Sequence, residues 1–246
     1  MNLLNTSLSA LAHCMSNARR ELTAISLCVV FAASAVAVSD GPSLRFRIGP
    51  SADIQEPGKK KVSDEAQKAA KVAMAALEKG DLAAAKRDFQ KVLTLAPGNA
   101  PTLINLGLVE YRQKKYADAE TLLKNAVKSA PESGLPWLVL GVVQYEQNKL
   151  DAALAALAMA AYLEPKDARV HQYLGVVVGN KGWYSAAEDE MRKAIELEPD
   201  YAEAHYNLAV FCLERKPPAV ELARRHYYKS VDLGGAPDPE IEKKIK

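Results

Sequence analysis

Cysteine is scarce: the 246 residues hold three, Cys14, Cys28 and Cys212. So few thiols exclude a disulfide-stapled scaffold. Glycine and proline number 13 each, too few for a collagenous or low-complexity chain. Neither sign of charge dominates. Thirty-two Lys and Arg face 30 Asp and Glu, a net charge of +2, well short of the basic excess of a nucleic-acid-binding domain. Long apolar runs are also lacking, apart from a single 17-residue stretch, which excludes a polytopic membrane protein. Aromatics are only 7%. What is present is an ordinary 49% of apolar and 25% of charged residues, which excludes a largely disordered chain. Alanine is conspicuously frequent. It is the best helix former, so the composition points to an all-α protein.

The one apolar stretch runs from Leu22 to Val38 and carries no charge. Arg19 and Arg20 precede it, and Ala35-Val36-Ala37 closes it with small residues. A basic flank, an apolar stretch and an A-x-A end are the parts of a secretory signal. Residues 1–37 are therefore expected to be a signal peptide, with Met15 as the expected true start because MSNARREL is a tidier beginning. If residues 22–38 are instead an uncleaved anchor, the two arginines keep the N-terminus inside. Either way the remainder is expected to be extracytoplasmic, periplasmic or secreted. Cleavage leaves Cys212 as the only cysteine and a net charge of +1, too weak a field to steer an acidic partner. Residues 38–62 hold Gly41, Pro42, Gly49, Pro50, Pro57 and Gly58 before Lys59-Lys60-Lys61, and read as a flexible linker.

The rest of the chain repeats. Pro97, Pro131, Pro165 and Pro199 follow one another at 34 residues. Ala85, Ala119, Ala153 and Ala187 form a second column in the same phase, and Val72, Leu106, Leu140, Leu174 and Leu208 a third. The residue after each of this third column is small: Ala73, Gly107, Gly141, Gly175 and Ala209. Phe89, Leu123, Leu157 and Met191 are a column of large apolar residues, followed three residues later by Val92, Ala126, Ala160 and Ala194. A fixed period of this length is the mark of a solenoid, in which no unit buries its apolar face alone and the ends need caps.

These columns resemble the tetratricopeptide repeat family, whose unit is two antiparallel helices in 34 residues. The resemblance covers residues 66 to 235, with repeats from Ala66, Ala100, Gly134, Ala168 and Ala202. The fifth carries a two-residue insertion at Pro217-Pro218. It implies an all-α, right-handed solenoid of about five helix pairs over 63–235. Small residues at repeat position 8 are expected to meet the alanines at position 20 where the two helices cross. Gly234-Gly235 reads as the stop of the last repeat helix. Within 236–246, Asp238 as N-cap, Pro239 at the first helical position, and Ile241 and Ile245 on one face read as a short capping helix.

In this family the first helices line a concave groove. The resemblance assigns to it Ala70 and Met74 in the first repeat, Ile104, Leu108, Tyr111 and Arg112 in the second, and Leu135, Leu138, Val142 and Tyr145 in the third. The fourth supplies Arg169, Gln172, Val176 and Asn180, and the fifth Glu203, Tyr206, Val210 and Leu213. The family's carboxylate clamp, built from Lys, Asn and Arg, is matched in the first three repeats only at Asn105. Ala70, Met74, Leu135 and Val139 stand where other members of it belong. An apolar middle with a more polar C-terminal end suits an amphipathic helix or an extended apolar peptide.

Catalytic signatures are missing: there is no nucleophile elbow, H-E-x-x-H pair, P-loop or G-x-G-x-x-G. His171 and His205 share position 4 of successive repeats and are expected to pack at the repeat junction, as Trp137 does. A metal-dependent enzyme using both is the remote alternative, since a catalytic zinc needs three protein ligands. The run Glu188-Asp189-Glu190 reads as a solvated face. The sequence thus predicts a non-enzymatic adaptor without cofactor, metal or nucleic acid, whose partner is another protein or peptide segment. The alternative is a homo-oligomeric structural repeat protein.

Overall fold

The structure is a computed structural model, and it describes residues 63–246. The expected signal peptide or anchor and the linker before residue 63 lie outside the described residues. Among those described there are eleven α-helices and no strand. They form five antiparallel pairs: α1 (Asp64–Glu78) with α2 (Leu82–Leu95), α3 (Ala100–Arg112) with α4 (Tyr116–Ser129), α5 (Gly134–Glu146) with α6 (Leu150–Leu163), α7 (Ala168–Asn180) with α8 (Tyr184–Leu197), and α9 (Ala202–Glu214) with α10 (Val220–Asp232). A last short helix, α11 (Pro239–Lys244), follows. No helix among the described residues is long and apolar enough to cross a membrane.

Local chemistry sets where each helix begins and ends. Ser63, Asp81 and Asn99 each cap a helix by accepting the backbone N–H three residues on. Inside each of the first four pairs the chain turns at one repeat position. Gly80, Lys114, Asn148 and Gly182 there take φ of 77°, 60°, 57° and 80°. The next backbone N–H then reaches five residues back, from Asp81 to Ala76, Lys115 to Glu110, Lys149 to Gln144 and Trp183 to Val178. These bonds satisfy carbonyls that the helix end leaves open. In the fifth pair the insertion replaces this turn, and the Ala219 N–H bonds the Cys212 carbonyl instead.

Packing follows the columns. Ala73, Ala85, Phe89, Leu106 and Val109 share one buried cluster, and Ala187, Met191, Ala194, Leu208, Ala209, Cys212 and Tyr227 another. Each of α1 to α10 packs on its neighbours in sequence, and beyond that the first helices touch across repeats, α3 with α5, α5 with α7 and α7 with α9. The small residues at position 8 do admit close approach, but their nearest neighbour is not the alanine side chain at position 20. A Cβ on Gly141 would lie 2.6 Å from Leu157 Cγ, and one on Gly175 2.6 Å from Met191 Cε. What position 20 presents to these glycines is its backbone carbonyl, at 3.3 Å from Ala153 and Ala187. The large residue at position 24 fills the space that the missing side chain leaves.

The C-terminal end is closed by α11. Asp238 accepts from the N–H groups of Glu240 and Ile241, and Ile241 and Ile245 are buried. The Tyr227 hydroxyl, on α10, receives the Asp238 N–H at 2.8 Å and donates to Glu242 at 3.0 Å, while Arg224 Nε reaches the Ile245 carbonyl at 2.6 Å.

Candidate functional site

The first helices α1, α3, α5, α7 and α9 carry every residue assigned to the groove. Their exposure divides them. Ile104, Leu108, Leu138, Val142 and Gln172 are buried. Ala70, Met74, Tyr111, Leu135, Tyr145, Arg169, Val176, Asn180, Glu203, Tyr206, Val210 and Leu213 are half-buried, and Arg112 is exposed. The apolar middle is thus mostly inside, and the polar and aromatic positions are the accessible ones.

Two of those positions are linked across repeats in a way the sequence reading missed. The Tyr111 hydroxyl donates to Glu146 at 3.3 Å, and Asn180 Nδ2 donates to the Tyr145 hydroxyl at 3.3 Å. Both links join residues 35 apart, so each runs from position 12 of one first helix to position 13 of the next. Asn180 also bonds the Val176 carbonyl, which fixes its amide. Glu146 was absent from the groove positions read in the sequence, although the 35-residue spacing from an aromatic to a polar residue was there to be seen. Burial raises the Tyr111 and Tyr145 phenols, with the Glu146 carboxylate adding to both. Burial likewise raises Tyr173, which Glu146 and Glu203 also influence. The phenols therefore stay neutral hydrogen-bonding groups at ordinary pH. Further along, Tyr206 is already occupied: its hydroxyl donates to Asp238 at 2.7 Å. Arg169 is held by Asp167, the N-cap of its own helix. Asn105 donates to the Met74 sulfur at 3.4 Å, and its buried Oδ1 has no partner among the described residues.

Position 4 forms a second row. Trp137 Nε1 donates to the Pro131 carbonyl at 3.1 Å. His171 Nε2 lies 2.9 Å from the Pro165 carbonyl and His205 Nε2 3.0 Å from that of Pro199. An N–H at this position therefore satisfies the carbonyl of the proline that ends the preceding repeat, a role shared by indole and imidazole. The remaining nitrogen of His171 meets Glu190 at 2.7 Å, and that of His205 meets His226 at 2.8 Å. Both rings are buried and both nitrogens of each are engaged, so neither is left to ligate a metal. No group of three or more His, Cys, Asp or Glu among the described residues is arranged to hold one.

The acidic run on α8 is less solvated than expected. Glu188 is buried and accepts from Arg192 at 2.7 Å, and Glu190 serves His171 and Lys193. Only Asp189 of the three is exposed. On α4, Glu120 is similarly enclosed. Burial alone would raise its carboxyl, but hydrogen bonds from Lys124, Lys149, Gln147 and Gln144 outweigh that and bring it down to about 2.

Comparison with known proteins agrees with this architecture. Family models described as tetratricopeptide repeat match residues 71–133, 110–175 and 179–237. PilF of Pseudomonas aeruginosa superposes with a TM-score of 0.66 at 21% identity, over 72% of this chain and 79% of that one. A crystal structure of MamA gives a TM-score of 0.58 at 26% identity, over 66% and 94% of the respective chains. YrrB, described as a TPR protein with an unusual peptide-binding site, gives 0.56 at 24% identity, over 70% and 87% of the respective chains. No curated protein sequence matches. Five helix pairs in one register, with matching family models along nearly all of them, make the chain a member of the tetratricopeptide repeat family.

Proposed function

We propose that this protein is an exported scaffold that binds an apolar or amphipathic segment of a partner protein along the face formed by α3, α5, α7 and α9. As a tetratricopeptide repeat protein it is a protein–protein interaction scaffold, and the proposal concerns where it works and which face it uses. The observation that carries the face is the pair of cross-repeat links, Tyr111 to Glu146 and Tyr145 to Asn180. They hold half-buried aromatic and amide groups in a row on successive first helices. Such groups offer apolar area together with a polar edge, as binding surfaces do. Support for a peptide ligand also comes from YrrB, a similar fold whose description names a peptide-binding site. Export rests on Arg19-Arg20, the apolar stretch and the A-x-A end.

The test is photocrosslinking in cells from a photoreactive residue at Tyr145. Tyr162, 81% exposed on α6, a second helix, is the control. A distinct protein captured from Tyr145 and not from Tyr162 is the expected result. Equal capture from both sites, or none, would refute the face. Adducts of the protein with itself would replace the partner reading by self-association.

A further inference from the structure

Repeat positions 4 and 23 meet in the last two repeats, and they hold different chemistry in each. In the fourth repeat they are His171 and Glu190, 2.7 Å apart. In the fifth, allowing for the insertion, they are His205 and His226, with Nδ1 to Nδ1 at 2.8 Å. The two ring centroids of the latter pair are 5.1 Å apart with 25° between planes. That separation equals the N···N distance plus a ring radius at either end. The rings therefore meet edge to edge in one line, and do not lie face to face. Their Nδ1 atoms point at each other, and a hydrogen bond between them needs an N–H on one and a lone pair on the other. A metal ion set between the two nitrogens would need them farther apart, since each metal–nitrogen bond is itself about 2 Å.

Proton counting then fixes how the pair behaves. His205 donates from Nε2 to the Pro199 carbonyl, so in its neutral form Nδ1 is bare and accepts from His226 Nδ1–H. Adding one proton leaves the bond intact, because an imidazolium still donates to a neutral ring, and the bond becomes charge-assisted. Adding a second places N–H against N–H and two positive charges together.

The charges that act on the pair from outside it are positive. Arg225 on α10 and Arg192 on α8 both act on His226 with positive charge. The carboxylates of the last two repeats and the cap bond other groups: Glu188 Oε2 takes Arg192 and Arg215, with its buried Oε1 unpartnered among the described residues, Glu190 takes His171 and Lys193, Asp200 takes Lys229, and Glu242 takes Tyr227. Among the described residues neither ring of the pair has a carboxylate partner.

We propose that the His205–His226 contact is an acid-sensitive latch on the C-terminal end of the solenoid. It holds with at most one added proton between the two rings, and it releases α10, with α11 attached, when both are charged. In the fourth repeat the same junction carries Glu190 and keeps an acceptor opposite the imidazole, so it does not share this response. Burial, followed by the charges of His205, Arg225 and Arg192, lowers His226 to about 4. A lowered folded-state value means that the stabilisation is complete above the ordinary histidine range, near 6.5, and is lost as pH falls toward 4.

Hydrogen exchange on the full chain tests this, compared helix by helix and corrected for intrinsic exchange rates, between about pH 7 and 4. The expected result is opening of α10 that rises on the order of tenfold per pH unit below about 6, while α7 and α8 stay protected. His226→Glu, which copies the fourth repeat, is expected to flatten the α10 response. Loss of protection in all helices together in the natural chain would overturn the latch. So would a His226→Glu protein that opens at the same pH as the natural one. If that variant does not fold, nitrogen-resolved NMR of the natural chain at neutral pH decides instead. A single Nδ1–H correlated with both rings supports the latch, and its absence overturns it.

Discussion

Gly141 shows how closely one residue is specified here. Its hypothetical Cβ would meet Leu157 Cγ at 2.6 Å and the Ala153 carbonyl at 3.3 Å. Leu157 is wholly buried, and the contact is with its branch point, so it cannot swing aside. Gly141→Ala is therefore expected to cost about 1–3 kcal/mol by overpacking, read from the midpoint of urea unfolding. The sequence revealed that a small residue was required at this position, because Gly107, Gly141 and Gly175 recur in phase. It did not reveal the neighbour. Two columns in register say that residues lie on facing helices, but not whether a side chain or a carbonyl fills the gap. The same limit hid His226. His171 and His205 are visible as a column, whereas the residues opposite them, Glu190 and His226, share a position only after the insertion at Pro217-Pro218 is taken into account. Tyr111 and Glu146 were missed for a related reason: their link runs between neighbouring repeats, and the columns align each repeat with itself.

At the scale of elements, α11 carries a role out of proportion to its six residues. It places Ile241 and Ile245 on the last repeat and completes the hydrogen bonds of Tyr227 and Arg224. Ending the chain at Ala236 would expose the apolar surface beneath both isoleucines, each worth ~1.5–3 kcal/mol when buried. The expected outcome is a loss of a few kcal/mol in urea unfolding and a gain in binding of an apolar dye. Helix type and order were legible from the 34-residue period, and so was the cap, from Asp238, Pro239 and the isoleucine spacing. The burial of α8 was not. Glu188-Asp189-Glu190 reads as surface because it is acidic, yet Arg192, Arg215 and His171 allow two of its three carboxylates to turn inward. Arg192 and His171 come from the same repeat and Arg215 from the next, a pairing set by the fold that composition does not report.

At the scale of the whole solenoid, the repeat helices pack on their neighbours in sequence and the first helices on those of adjacent repeats, so among the described residues no contact of substance spans more than one repeat. Stability in such a chain is a sum over units and junctions. Removing residues 134–167 joins Ser133 to Ala168 and leaves every column in phase. The shortened chain is expected to remain helical, with a cooperative melt at lower temperature by circular dichroism, while losing both cross-repeat links, because Tyr145 and Glu146 are removed together. A non-cooperative or unfolded product would show that the junction between the second and fourth repeats is not interchangeable. The proposed binding face and the fold are thus separable properties of the same stretch. For the gene this means that the coding sequence can lengthen or shorten by one unit through unequal crossing-over. Each such event would test a new binding row on a frame that already folds.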